Sequence, residues 1–232
     1  MRRFYRNASA GPCAGGFGVF LDDRPVPTPA KAALVLPSAA LAEAIAAEWQ
    51  AQQEKVDPAR MPLMQVAATA IDRVASQRAE VIRDTAAYGG TDLLCYRADS
   101  PPELVIHQQQ AWDPPLAWLL RRHGVALKVT EGVRAVAQEE AALRRLRQVV
   151  EALDDMRLTA LGLLTASLGS LVLALAILDE EMDWQAAFAA ATLDESFQAE
   201  RWGEDMEAAR RRENLRRDVE AYARFLALVG KS

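Results

Sequence analysis

Residues 158–178 carry no charged side chain over a length that could span a bilayer, and this stretch constrains the fold more than any other. Gly162, Ala166, Ser170 and Ala174 recur at every fourth position, a small-residue stripe that lets helices approach closely. The same stripe suits the central helix of a soluble bundle, which is covered on every side. Thr159, Thr165, Ser167 and Ser170 temper the hydrophobicity, only one such segment occurs, and no aromatic belt flanks it. A buried helix is therefore the expectation, and a membrane anchor the alternative.

The chain as a whole has the composition of a globular protein: of its 232 residues 51% are hydrophobic and 25% charged, enough for a real core. Asp and Glu outnumber Lys and Arg by 32 to 27, giving a net charge of −5 that disfavours phosphate backbones at long range, so no nucleic acid is expected as partner. Arg210-Arg211-Arg212 and Arg216-Arg217 alternate with Glu207, Glu213, Asp218 and Glu220, as in a solvated helix laced with i,i+4 pairs. Cys13 and Cys95 are far apart, which argues against a disulfide scaffold or a zinc site and fits a reducing compartment. The basic N-terminus, Met1-Arg2-Arg3-Phe4-Tyr5-Arg6, lacks the apolar core of a secretory signal, so a cytoplasmic or already processed chain is expected.

Gly18–Leu21, the turn Asp22-Asp23 and Arg24–Val26 read as a strand, a turn and a second strand, with Ala33–Leu36 as a third candidate. Ser38 suits a helix N-cap, Asp57-Pro58 a break, and Pro62 the first turn of a helix whose apolar stripe runs from Leu63 to Ile82 and stops at Gly89-Gly90. Thr91–Tyr96 is ambiguous between strand and helix. Pro101-Pro102 opens a helix reaching Trp112, Asp113-Pro114 begins another ending at His123-Gly124, and Val125, Leu127 and Val129 alternate as a short strand closed by Glu131-Gly132. From about Val136 onward the pattern is helical, with Asp183 capping a helix that bears Trp184 and Phe188. The reading is an α+β fold: a small β-rich N-terminal part (1–37), a mixed, mostly helical middle (38–135) and a helical C-terminal region (136–232).

No catalytic constellation emerges. The glycines at 11, 15, 16 and 18 precede Asp22-Asp23 and Pro25 rather than a helix start, so they read as a flexible turn between strands and not as a phosphate cradle. His107 and His123 fall on different elements, without H-E-x-x-H or G-x-S-x-G patterns, and neither Cys lies near a His in sequence. No catalytic residue, metal ligand or cofactor site is assigned, which leaves a small-molecule enzyme of unknown reaction only as an alternative. The distinctive segment is Leu193–Gln198 with Trp202-Gly203-Glu204-Asp205, where acids and an aromatic share a helical context. Glu195, Gln198 and Trp202 fall on one helical stripe with Asp205 one turn on, while Glu204 and Asp205 also suit a new helix N-terminus after a break at Gly203. Surface solvation and partner binding both fit this segment, and Trp202 fits either an anchor or a local core residue.

Taken in order, a series of short motifs resembles one known family. They are Leu21-Asp22-Asp23-Arg24-Pro25-Val26-Pro27-Thr28-Pro29, Leu36-Pro37-Ser38, Ala47-Glu48-Trp49, Asp57-Pro58 with Met61-Pro62-Leu63, and Thr69-Ala70-Ile71-Asp72. Thr91–Arg97, Trp112-Asp113-Pro114, Leu168-Gly169-Ser170-Leu171, Leu193-Asp194-Glu195 and Trp202-Gly203-Glu204-Asp205 complete it, nearly end to end. The family is that of the assembly chaperones escorting the alpha subunit of the soluble catalytic sector of F-type ATP synthase. The resemblance implies a β-rich N-terminal domain, an α-helical C-terminal domain, no nucleotide hydrolysis and no cofactor. It implies that the free alpha subunit is bound at a surface the beta subunit later covers, by a monomer that does not insert stably into membranes. Glu195, Gln198, Trp202, Glu204 and Asp205 are the contact residues carried over. Mitochondrial relatives have a presequence; its lack here points to a bacterial cytoplasm.

Overall fold

The computed structural model describes residues 2–132, 134–203 and 205–230. Packing groups them into two compact units, one formed by residues up to 78, 154–160 and 221 onward, the other by 79–153 and 161–220. The architecture is α+β, with a small antiparallel sheet near the N-terminus and a larger helical part.

The first unit is built on a meander of β1 (Ala8–Cys13), β2 (Gly16–Leu21) and β3 (Arg24–Pro25), with β2 in the middle. The glycine-rich stretch is thus mostly paired as a hairpin, with Gly11 opposite Gly18, and only residues 14–15 form the turn between strands expected from its composition. The β2–β3 turn holds Asp22 at φ 45° and Asp23 at φ 67°, a region that Asp tolerates better than most residues. Asp22 earns a second role as its carboxylate accepts from the amides of Asn7 (2.9 Å) and Arg6 (3.0 Å). Those two bonds hold its carboxyl below the usual carboxylate range.

Ala33–Leu36 does not form the third strand. It makes isolated bridges, Ala33 to Pro27 and Leu36 to Phe17, because the ladder position beside β2 is taken by the unanticipated β1 on one side and shared with β3 on the other. Leu36 and Phe17 exchange both backbone bonds (2.8 and 2.9 Å), bringing the Leu36 carbonyl so close that a Cβ at Gly16 would lie 2.4 Å from it. Gly16→Ala is therefore expected to destabilise the protein by about 2 kcal/mol, measured as a lower denaturant midpoint with unchanged slope.

Helix α1 (Ala39–Gln50) lies on β1 and β2, burying Leu41, Ala42, Ile45 and Ala46, and Ser38 Oγ caps it by accepting from the Leu41 amide at 3.1 Å. At the break expected from Asp57-Pro58, Asp57 caps a 3₁₀ turn, Pro58–Arg60, and Pro62 opens α2 (Pro62–Thr69) as expected from sequence. The amides at the start of α2, which lack a partner within the helix, are satisfied at long range: Glu48 accepts from Leu63 (2.8 Å) and Met64 (2.9 Å). Burial raises the Glu48 pKa, against the pull of those two bonds. A π-helical turn, Ala70–Val74, leads into α3 (Ala75–Ala87).

In the second unit, α4 (Pro102–His123) runs unbroken through Pro114 and Pro115, where two helices were expected. The local rule that a helix stops before proline is outweighed by burial of Trp112, Pro115, Trp118 and Leu119 on one face. Arg97 adds to the clamp. Its buried guanidinium donates to the carbonyls of Leu94 (2.8 Å) and Gln108 (3.3 Å) and to Asp113 Oδ1 (2.9 Å), just ahead of the prolines. Gly124 ends α4 at φ 68°, as its position suggested. The expected Val125–Val129 strand is absent, because the Gln138 side-chain amide takes both the N–H and the C=O of Lys128. Pairing is confined to β5 (Thr130–Glu131), parallel to β4 (Tyr96–Arg97).

The uncharged stretch divides at Gly169 (φ 65°) and Ser170 into α6 (Asp155–Leu168) and α7 (Leu171–Leu178), after α5 (Glu140–Glu151). All residues from Leu171 to Ile177 are buried, and α7 packs against α4 and α8 (Trp184–Ala191). The break is fixed by buried Asp92, which accepts from Ser170 Oγ (2.7 Å), the Val172 amide (3.1 Å) and the Leu94 amide (3.1 Å). No described helix is long and apolar enough to cross a membrane, so the membrane-anchor alternative has no support. Helices α9 (Leu193–Trp202) and α10 (Met206–Val229) complete the chain.

Candidate partner-binding site

Helix α9 is held from behind by α4 and α8. Gln108 Nε2 donates to Asp194 Oδ1 (2.7 Å), the His107 and Phe197 rings meet edge to face at 6.0 Å, and the Arg201 guanidinium lies 5.0 Å over Phe197. Its support, α8, is itself pinned where Trp112 Nε1 donates to the Ala190 carbonyl (2.9 Å). Asp183 caps α8 by accepting from the Ala186 amide at 2.7 Å, as the sequence suggested. These contacts occupy one side of α9 and leave Glu195, Gln198, Ala199 and Trp202 on the other, at i, i+3, i+4 and i+7.

Gly203 then ends the helix at φ 87°. No atom crowds the position of its absent Cβ, so it is the backbone angle and not space that calls for glycine there. Asp205 starts α10 by accepting from the Ala208 amide (3.2 Å), which fulfils the expected helix start after Gly203. Along α10 a second stripe, Ala208, Arg211, Arg212 and Leu215, repeats the same spacing. The two stripes and Asp205 line an open cleft of about 580 Å³. Small side chains, Ala199 and Ala208, leave room between larger ones.

Trp202, which lines this cleft, is 76% exposed, so it is a surface residue and not part of a local core; Met206, four residues on, is 86% exposed. Large exposed apolar groups rimmed by charge are the ordinary mark of a protein-contact surface. Four of the five residues singled out by sequence, Glu195, Gln198, Trp202 and Asp205, are brought together here; the fifth, Glu204, lies outside the described residues. The sequence reading missed Ala208, Arg211, Arg212 and Leu215. Their signal was the duplicated i, i+3, i+4, i+7 spacing on either side of Gly203, hidden by the solvated-helix pattern that Glu213 does obey with Arg216 (2.8 Å) and Arg217 (2.9 Å).

Outside the cleft, the carboxyls most affected by burial have structural duties. Asp92 caps α7 and has a pKa raised to about 6 by desolvation, while Glu48 caps α2. Cys95 is pushed up to about 12 by burial and, secondarily, by Asp92, which makes it a poor nucleophile. Among the described residues, no group of three or more His, Cys, Asp or Glu side chains could hold a metal ion.

A profile of the ATP12 chaperone protein family matches residues 2–120. Among solved structures, Atp12 from Paracoccus denitrificans is 44% identical with a TM-score of 0.94, covering 98% of this chain and 98% of its own. A point mutant of P. denitrificans Atp12p is 43% identical with a TM-score of 0.94, over 98% of this chain and 97% of that one. A candidate chaperone from Agrobacterium tumefaciens is 40% identical with a TM-score of 0.92, over 97% of this chain and 85% of its own. Profile, sequence identity and full-length structural agreement coincide: the chain belongs to the ATP12 chaperone protein family.

Proposed function

We propose that the protein is a molecular chaperone of ATP synthase assembly that binds the free alpha subunit of the catalytic sector and shields its subunit interface until the beta subunit replaces it. The observation that carries this reading is the exposed Trp202 in a cleft lined also by Glu195, Gln198 and Asp205. An orphan subunit exposes an apolar face that would otherwise aggregate, and a temporary cover must hold that face without permanence. An aromatic anchor inside a charged rim suits such exchange, since the anchor supplies affinity and the rim governs encounter and selectivity. The reading needs no bond made or broken, no cofactor and no membrane insertion.

The test is aggregation of isolated alpha subunit, followed by light scattering without nucleotide. Suppression at a roughly equimolar ratio is expected. Unchanged scattering, with no complex in size-exclusion chromatography, would reject the proposal. Glu195→Lys is expected to keep the wild-type melting temperature while weakening alpha-subunit pull-down about tenfold.

A further inference from the structure

The cleft is polarised. Its α9 wall carries Glu195, with Asp205 at the bend, whereas its α10 wall carries Arg211 and Arg212. Neither Glu195 nor Arg211 has an ion-pair or hydrogen-bond partner among the described residues, although both line one cleft. Asp205 has one oxygen engaged by the Ala208 amide, so Glu195 is the freer carboxylate. Glu195 and Arg211 are solvent-exposed and line the same space without pairing with each other, so each can pair with an opposite charge on whatever enters. Each stripe spans seven residues, about 10 Å along its helix, or two turns. Each wall contributes one large apolar side chain, Trp202 from α9 and Leu215 from α10, with Ala199 and Ala208 leaving room for a side chain.

Resting on the reading of this cleft as the alpha-subunit site, we infer that its occupant is a two-turn amphipathic helical segment of the client that carries both charges. Its apolar residue lies against Trp202 and Leu215, a Lys or Arg faces Glu195, and an Asp or Glu faces Arg211. Helix-in-groove docking presents side chains at i, i+3, i+4 and i+7, the same spacing that both walls use. A cleft with acid on one side and base on the other accepts such a segment in one direction only, because the reversed segment sets like charges against each other. Arg211 is thus a selectivity residue, which a purely acidic docking site would not need.

The experiment compares capture of isolated alpha subunit by the wild-type protein, Glu195→Lys, Arg211→Glu and the doubly swapped protein, after equal melting temperatures have been verified. Each single swap is expected to lower affinity about tenfold, and the double swap to remain at least as weak as either. If Arg211→Glu binds like wild type while Glu195→Lys does not, the polarised cleft is wrong and an acidic contact alone remains. If the double swap restores capture, the two side chains serve each other and not the client, which also overturns the inference. If all three variants bind like wild type, the cleft is not the alpha-subunit site, and the placement of the site fails together with the inference built on it.

Discussion

Trp202→Ala is expected to reduce alpha-subunit affinity by about thirtyfold or more, corresponding to about 2 kcal/mol, while leaving the fold intact. The two halves of that expectation come from the same observation. A tryptophan that is 76% exposed contributes little to the core, so its truncation should shift folding stability by no more than about 0.5 kcal/mol. The same exposure leaves a large rigid surface for a partner to desolvate, and tryptophan is prominent among residues that dominate interface energies. Isothermal titration against isolated alpha subunit, paired with thermal unfolding, separates the two quantities. A large fall in melting temperature with unaltered binding would mean that Trp202 is structural after all.

Asp92 carries the second large effect, this time on stability. Its carboxylate gathers the Ser170 hydroxyl and the amides of Val172 and Leu94 at the break between α6 and α7. Asp92→Ala would strand those donors in the interior at a cost of about 3 kcal/mol. A pH signature accompanies it. The native state holds the Asp92 proton more tightly than the unfolded chain does, with a pKa of about 6 against 3.8. The stabilising contribution from this group is therefore complete below pH 3.8 and is lost as pH rises to about 6, a change of about 3 kcal/mol. Carboxyls with lowered pKa, Asp22 and Glu213 among them, act in the opposite sense, so the comparison is made against Asp92→Asn, which cannot titrate. The stability difference between wild type and Asp92→Asn is expected to move against the wild type between pH 4 and pH 6 and to stay flat above. A flat difference throughout would show that Asp92 ionises as freely as in the unfolded chain.

Much of the helical framework could be read from single residues, because capping is local chemistry. Ser38, Asp57, Pro62, Gly124 and Asp183 each did what their side chain or backbone favours, independently of the remainder of the chain. Expectations failed where a distant contact overrode a local preference. Asp113-Pro114 looks like a helix start until Arg97 and the buried face of α4 are in place. Ala8–Cys13 has almost none of the β-branched residues that mark a strand; it pairs because β2 offers a ladder and Gln50 Oε1 accepts from the Ala8 amide at 2.7 Å. The candidate cleft was half legible for the same reason. The stripe on α9 follows from helical spacing alone, but Arg211 and Leu215 join it only through the direction in which the chain leaves Gly203.

Many motifs that carry the family resemblance prove to be fasteners. Asp22, Glu48 and Asp92 hold backbone amides of other segments, and Asp72 accepts from the Thr28 hydroxyl and from the Ala30 amide at 3.0 Å. Such residues specify the fold, whereas Trp202 and the charges beside it lie on the exposed surface proposed to meet a partner.

The divided apolar stretch has a consequence for biosynthesis. Asp92 and α4, which receive α7, precede it in the chain by dozens of residues, and translation delivers them first. When the greasy segment leaves the ribosome, its anchor and one of its walls already exist. A nascent chain that would otherwise tempt lipid or its neighbours can thus be docked in sequence, and a protein proposed to guard another from aggregation guards its own weakest stretch by the order in which it is made.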